Sequence, residues 1–412
     1  MTETVLEVQD LVKHFPVNLS IVQRALLGNV AVHAVDGVSF SLQEGEILGL
    51  VGESGSGKTT VGRTVLRLLE PSQGTIRFRG TDITHLKEKT LRPMRRKMQM
   101  IFQDPHAALN PAMTIGQSIA DPLIIHESAE PNEARTTALR MMTEVGLAPA
   151  EQLYGKYPAD LSGGQKQRAV IARAMILNPE LIVADEPVAM LDMSIRAKIL
   201  ELLLDLRRRY QLAFLFITHD LATAKFLCDR IAIMYLGRIV ETGPSATIFR
   251  DPKHPYTRAL IAAIPVPEPG RPRAGVLPRG EIPDAINPPA GCRFHPRCPS
   301  VLPTCGWEGR DFIDYLEQRR LDATKAQADE TVIGVPEDWR ANGLRAWRRT
   351  RDENATATVA YLRSIVAQAA APMASAVEAV DVEESRAVVR FRSPEQLLPK
   401  EVEGRTVECL LY

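Results

Sequence analysis

GESGSGKT, residues 52–59, is the stretch on which the reading of the chain turns. It fits G-x-x-x-x-G-K-(S/T), follows the apolar run ILGLV (47–51) and opens a helical pattern at Lys58. That strand, turn and helix setting is what a phosphate-binding loop needs. Glycines let backbone N–H groups converge on phosphate oxygens, and the start of a helix adds partial positive charge. Gly52, Ser54, Gly55, Ser56 and Gly57 are the expected cradle. Lys58 supplies a full charge, Thr59 offers its hydroxyl to magnesium, and Thr60 completes the nucleotide-binding set.

Moving outward, apolar runs bounded by turn residues recur at 46–51, 98–102, 181–184, 212–218 and 231–235, with helical patterns at 58–69, 165–177 and 194–210. This alternation predicts an α/β domain with a largely parallel sheet. Between Gln103 and Asp160 strand signals stop, which predicts a helical subdomain over about 104–165. LIVADEP (181–187) is a buried-strand run ending in two carboxylates. Asp185 is expected to hold the magnesium ion and Glu186 to take a proton from the attacking water. DLSGGQKQR (160–168) sets Ser162, Gly163, Gly164 and Gln165 at a helix start, a second group of donors for an anion.

LSGGQ between GESGSGKT and LIVADEP resembles the nucleotide-binding subunit of ATP-binding cassette (ABC) transporters. The resemblance implies a P-loop NTPase of RecA-like type and a head-to-tail dimer in which the serine and glycines of one subunit face the γ-phosphate held by the other. It assigns Gln103 (in MIFQDP) to sensing magnesium and water, Asp192 (in MLDM) to the dimer seam, and His219 (in FITHD) to the γ-phosphate. It also assigns Phe15 (in VKHFPV) to stacking on adenine. Met190 departs from the small residue often found before the leucine at that seam. The stretches 102–123, 254–269 and 286–299 narrow the resemblance to the ATPases of oligopeptide, dipeptide and related nickel importers. Permease subunits, an identical or homologous ATPase partner and, indirectly, an extracytoplasmic solute-binding protein are then implied partners. The competing reading is a soluble ABC ATPase serving DNA repair, translation or metal-cluster assembly. A single cassette without zinc modules or long coiled coils weighs against it.

Eight prolines between 265 and 289 suit a stiff connector rather than helix or sheet, so the expected organisation is a nucleotide-binding domain (1–264), a linker (265–290) and a C-terminal domain (291–412). That last part holds GCRFHPRCPSVLPTC, with Cys292, Cys298 and Cys305, then charged helical patterns at 309–327 and 355–371 and a β-like run at 386–391, and carries Cys409 near its end. Their spacing differs from common zinc ribbons. In the importer group such a cluster is thought to hold a [4Fe–4S] centre, with Cys409 resembling the fourth ligand. About a hundred residues separate Cys409 from Cys305, more than the family pattern leads one to expect. Zinc joined by His295, or free thiols, are the alternatives. Cys228 reads as a small buried hydrophobe.

Composition excludes several classes. Fifty basic and fifty acidic residues balance, which removes the usual reason to expect nucleic acid as a partner. LRPMRRKM (91–98) is locally basic but lacks aromatics for base stacking and reads as a solvated face. The N-terminal MTETVLEVQD lacks a secretory pattern, and no apolar run reaches the roughly 20 residues needed to span a bilayer. The expected place is the cytoplasmic face of the inner membrane, held there through partners.

Overall fold

The computed structural model describes residues 3–18, 30–127, 129–264, 280–350 and 355–412. The chain divides into two compact units, Met1–Asp251 and Pro252–Tyr412.

The first unit is built on two sheets. Strands β1 (Thr4–Pro16) and β2 (Ala31–Gln43) form an antiparallel pair, and β4 (Gln73–Phe78) and β5 (Thr81–Asp82) extend it in the order β2-β1-β4-β5. The second sheet contains β3 (Ile47–Val51), β6 (Met98–Ile101), β7 (Leu181–Asp185), β8 (Ala213–Thr218), β9 (Arg230–Tyr235) and β10 (Arg238–Pro244). Within this unit its order is β10-β9-β3-β8-β7-β6, parallel except at the β9–β10 pair. Every residue of β3, β7 and β8 is buried. Unbroken apolar strands such as ILGLV and AFLFIT need helices or a second sheet on both faces, and the parallel arrangement supplies them. One core joins the two layers, with Leu6, Leu42 and Ile76 from the first sheet against Leu48, Val183 and Leu215 from the second.

Helices fill the interval 103–160 as expected: Pro105–Ala108, Ile115–Glu127, Pro131–Glu144 and Ala150–Tyr154. The antiparallel sheet was not anticipated from the alternation of strands and helices. Its β1 strand pairs through several register shifts, which break the period-2 pattern that would have marked it.

The second unit begins ahead of the proline-dense connector, because helix Pro255–Ala262 packs with it: Tyr256 is fully buried and meets Phe294 at 5.3 Å between ring centroids. Of the connector, residues 265–279 lie outside the described residues. Past the cysteine turn the unit has its own core. Helices Gly309–Arg319, Ala323–Ile333 and Ala355–Gln368 pack on a four-stranded sheet ordered β11 (Arg340–Asn342), β12 (Arg345–Arg349), β14 (Arg386–Phe391), β13 (Val377–Glu383). Phe312, Trp339, Leu362, Val389 and Phe391 lie at its centre. The helical pattern of 309–327 is broken by Asp322, whose carboxylate accepts from the backbone N–H of Thr324 and Lys325 and starts a new helix. A hairpin of β15 (Lys400–Val402) and β16 (Arg405–Val407) precedes Cys409. Among the described residues no helix is long and apolar enough to cross a membrane.

Candidate nucleotide site

The loop 52–57 joins β3 to helix Lys58–Val65 by a path that only glycine permits at its end. Gly57 has φ of 100°, and a Cβ there would stand 2.0 Å from the carbonyl oxygen of Ala34. The Lys58 ammonium is buried and donates to the carbonyls of Gly52 (2.9 Å) and Glu53 (2.8 Å) and to Ser56 Oγ (3.2 Å). Burial pulls its pKa below the ordinary lysine value, and the charges of Glu186, Asp185 and Glu53 oppose that shift.

From the C-terminal end of β7, Asp185 reaches the helix start: Thr59 Oγ1 donates to its Oδ1 at 3.0 Å. Burial raises the Asp185 pKa, with Glu186 adding to the rise, while the Thr59 bond, Arg63 and Lys58 oppose it. Glu186 has φ of 45°, a left-handed conformation that a non-glycine residue holds only under constraint, and its N–H donates to Ile217 O at 2.9 Å. Its two oxygens are divided between the remaining expected residues. Gln103 Nε2 donates to Oε2 at 3.3 Å, and His219 Nδ1 lies 2.9 Å from Oε1. The structure therefore joins Lys58, Thr59, Gln103, Asp185, Glu186 and His219 into one constellation at the C-terminal ends of parallel strands, where α/β sheets bind ligands. Hard oxygen donors at Thr59 and Asp185 suit magnesium.

Ser162, Gly163, Gly164, Gln165 and Asp192 belong to a different surface. Ser162 caps helix Gly163–Met175 through a capping box, its Oγ accepting from Gln165 N–H while Gln165 Oε1 accepts from Ser162 N–H at 3.0 Å. Asp192 caps helix Met193–Tyr210, accepting from Ile195 N–H (3.0 Å) and Ser194 Oγ (2.9 Å), bonds that hold its carboxyl below the usual range. A Cβ on Gly164 would lie 2.7 Å from Ile195, so the two helix starts abut. The side-chain hydrogen bonds of Ser162, Gln165 and Asp192 stay within these caps and do not reach the Lys58 constellation. Met190 and Met193, 60% and 86% exposed, flank Asp192. Phe15 sits half-buried on β1 opposite Val32, with the Lys13 ammonium 5.0 Å from its ring centroid.

Two contributors escaped the sequence reading. Arg63, one turn after Thr59 on the same helical face, acts on Asp185; its spacing of four from the loop was the available signal. A groove of about 370 Å³ is lined in part by Leu68, Phe102 and Ile125, all exposed apolar side chains, with Phe102 the residue before Gln103. The apolar pair in DPLIIHE was the only hint of it.

In the second unit, Cys292, Cys305 and Cys409 are buried and Cys298 is half-buried. Burial pushes the Cys298 thiol up to about 12 and raises Cys292 and Cys305; Cys292 also feels Cys305, Cys409 and Cys298. Backbone N–H groups of Phe294, Ser300 and Leu302 are directed at the sulfurs of Cys292, Cys298 and Cys305. His295 is committed elsewhere: Nδ1 lies 2.9 Å from Cys292 O and Nε2 3.2 Å from Asp311 Oδ2. Cys228 is buried against Gly49 in the first unit.

Residues 35–189 match the family model described as "ABC transporter", and residues 240–305 match "Oligopeptide/dipeptide transporter, C-terminal region". The chain is 46% identical over 322 residues to the probable peptide ABC transporter ATP-binding protein y4tS of Sinorhizobium fredii, covering 78% of this chain and 90% of that one. It is 45% identical to the oligopeptide transport ATP-binding protein AppF of Bacillus subtilis, covering 74% and 92%. Among solved structures it is similar to the ATP-binding cassette MJ0796, dimeric and bound to ADP and Pi in a post-hydrolysis state: TM-score 0.52, 28% identity, 58% of this chain and 98% of that one.

Proposed function

We propose the chemistry that follows from one premise: the chain belongs to the family of peptide and oligopeptide ABC transporter ATP-binding proteins. It is an ATPase that energises import of peptides or related solutes, and it uses ATP and magnesium. The observation that carries the residue assignment is the bonded chain Thr59–Asp185 and Gln103–Glu186–His219 around a buried Lys58.

Magnesium, when bound, would neutralise phosphate charge beside Thr59, Asp185 and Gln103. Lys58 and the N–H groups of 52–60 bind and orient the phosphates. Glu186 accepts the proton of the attacking water, and the His219 and Gln103 bonds hold its carboxylate in that role. Such positioned base catalysis contributes about 10² to 10⁴ in rate. Phe15 stacks on the adenine. Ser162, Gly163, Gly164, Gln165 and Asp192 complete the site of a second cassette, identical or homologous; the exposed Met190 and Met193 beside them support a covered seam. ATP's greater affinity for the closed pair than for the open one supplies the work.

The groove lined by Leu68, Phe102 and Ile125 is the proposed docking place for permease subunits, which would hold the chain peripherally at the cytoplasmic face of the inner membrane. An extracytoplasmic solute-binding protein would feed that permease. We further propose that Cys292, Cys298, Cys305 and Cys409 hold a [4Fe–4S] cluster. N–H groups directed at the thiolates are the kind of hydrogen bonding that tunes such centres. Among the described residues no three of these sulfurs lie within 4.8 Å of one another. That is looser than the roughly 3.8 Å between thiolates on a tetrahedral zinc ion.

Reconstitution with the permease chains tests the reading: ATP hydrolysis should rise on addition of peptide-loaded binding protein. Hydrolysis indifferent to the permease would refute it.

A further inference from the structure

We propose that His14, His33 and Asp36 form a site for a zinc-class divalent cation on the hairpin of β1 and β2, separate from the magnesium position. The strand register sets His14 directly opposite His33, and the backbone brings Asp36 beneath both. The two imidazole rings are 4.0 Å apart between centroids. His14 Nε2 lies 3.4 Å from Asp36 Oδ1, and His33 Nδ1 lies 3.4 Å from Asp36 Oδ2. One ligand atom from each of the three lies within 4.8 Å of the others, and theirs is the only such group of His, Cys, Asp or Glu among the described residues.

The spacing fits a metal site. Metal–nitrogen and metal–oxygen bonds of about 2.0–2.1 Å place neighbouring ligands on a tetrahedron roughly 3.4 Å apart. A charge-assisted hydrogen bond would draw the same atoms to about 2.7–2.9 Å. His14 Nε2 is buried and makes no hydrogen bond although it faces the carboxylate. Two imidazoles with one carboxylate suit zinc, cobalt or nickel and not magnesium, which prefers an all-oxygen shell. The three side chains are about 30% exposed, enough to admit an ion and leave its fourth position to water.

This site is wired to the phosphate loop, a consequence that rests on the nucleotide reading above. Asp36 N–H donates to Gly237 O at 2.9 Å, and Gly237 N–H donates to Ser56 O at 2.9 Å. Ala34, between the ligands His33 and Asp36, sets its carbonyl against Gly57. His14 precedes Phe15, the residue assigned to adenine. A cation that fixes the hairpin therefore fixes two walls of the nucleotide site, and by linkage nucleotide must strengthen cation binding by the same factor.

The full chain titrated with cobalt(II) in excess magnesium tests the site. Nitrogen and oxygen ligation gives visible d–d bands without the near-ultraviolet thiolate charge transfer that any cysteine-bound cobalt would add. The expected result is one equivalent with thiolate-free bands, weakened at least about tenfold in His33→Gln and in Asp36→Asn and retained in Cys298→Ser. Circular dichroism identical to wild type keeps a folding defect apart from ligand loss. Thiolate-free bands that survive both His33→Gln and Asp36→Asn, or their absence from the wild type, would overturn the site. An ATP-analogue affinity that zinc leaves unmoved would overturn the linkage alone.

Discussion

The nucleotide site of the first unit and the cysteine turn of the second gather their residues in opposite ways. At the nucleotide site each side chain arrives at the end of a regular element: Lys58 and Thr59 on a helix start, Asp185 as the last residue of β7 with Glu186 just past it, His219 after β8. The sheet does the assembling, and short motifs suffice because parallel register fixes where strands end. The cysteine turn brings Cys292, Cys298 and Cys305 together within one local stretch and recruits Cys409 from across an inserted subdomain. That insertion leaves at Gly306 and returns at Pro394 and Glu395: Glu395 N–H donates to Thr304 O at 3.1 Å, and a Cβ on Gly291 would sit 3.0 Å from Pro394. Because the ends meet and the insertion has its own core, Cys409 lies within electrostatic reach of Cys292 despite a hundred intervening residues. Motif spacing carries information only where the chain between the motifs is regular.

The comparison is sharpened by disturbing each region alone. The largest effect is expected from Trp339→Ala, which empties the centre of the insertion's core and should cost the second unit about 3–5 kcal/mol. Thermal unfolding should show a lowered transition, while Mg-ATP affinity stays at the wild-type value. Next comes Lys58→Ala. Removing a buried cation that faces three carboxylates should weaken nucleotide binding by about 2–5 kcal/mol, read by calorimetry, with the second unit's unfolding unchanged. The smallest is a pH response. Burial pulls His254, in the second unit, from 6.5 down to about 3, with Arg258 adding to the shift. Its folded pKa is depressed, so the imidazole stays neutral when folded while the unfolded chain takes up a proton. Its contribution is therefore full above pH 6.5 and is lost as pH falls from 6.5 towards 3, at no more than about 1.4 kcal/mol per pH unit. His254→Phe should flatten that part of the stability curve; an unaltered slope would assign the acid sensitivity to other groups.

How much was legible follows from the same contrast. The parallel strands could be read because ILGLV, LIVAD and AFLFIT are buried on both faces and so are apolar without interruption. Gln103 and His219 could be placed only by resemblance, since a lone glutamine or histidine carries no pattern. The sheet of β1, β2, β4 and β5 went unseen because its bulges scramble alternation. The apolar groove was hidden since Leu68 and Phe102 follow the ends of helix Lys58–Val65 and strand β6 while Ile125 comes from helix Ile115–Glu127. In residues 306–408 the sequence offered helices at 309–327 and 355–371 and a strand at 386–391. The pairing of β12 with β14, across two helices, strand β13 and 36 intervening residues in all, left no local trace. The buried Arg319–Asp329 pair, bonded at 2.8 and 3.0 Å with Tyr361 donating to the same carboxylate, was equally invisible.

Glu186→Gln is the most direct test of the central claim, because it keeps the shape of the site and removes only the proton acceptor. Phosphate release and retained ATP should be measured on the same sample, with the permease complex supplying any partner cassette. The expected result is bound ATP in a closed pair and turnover reduced by about 10² to 10⁴. ATP bound as before and hydrolysed at the wild-type rate would contradict it.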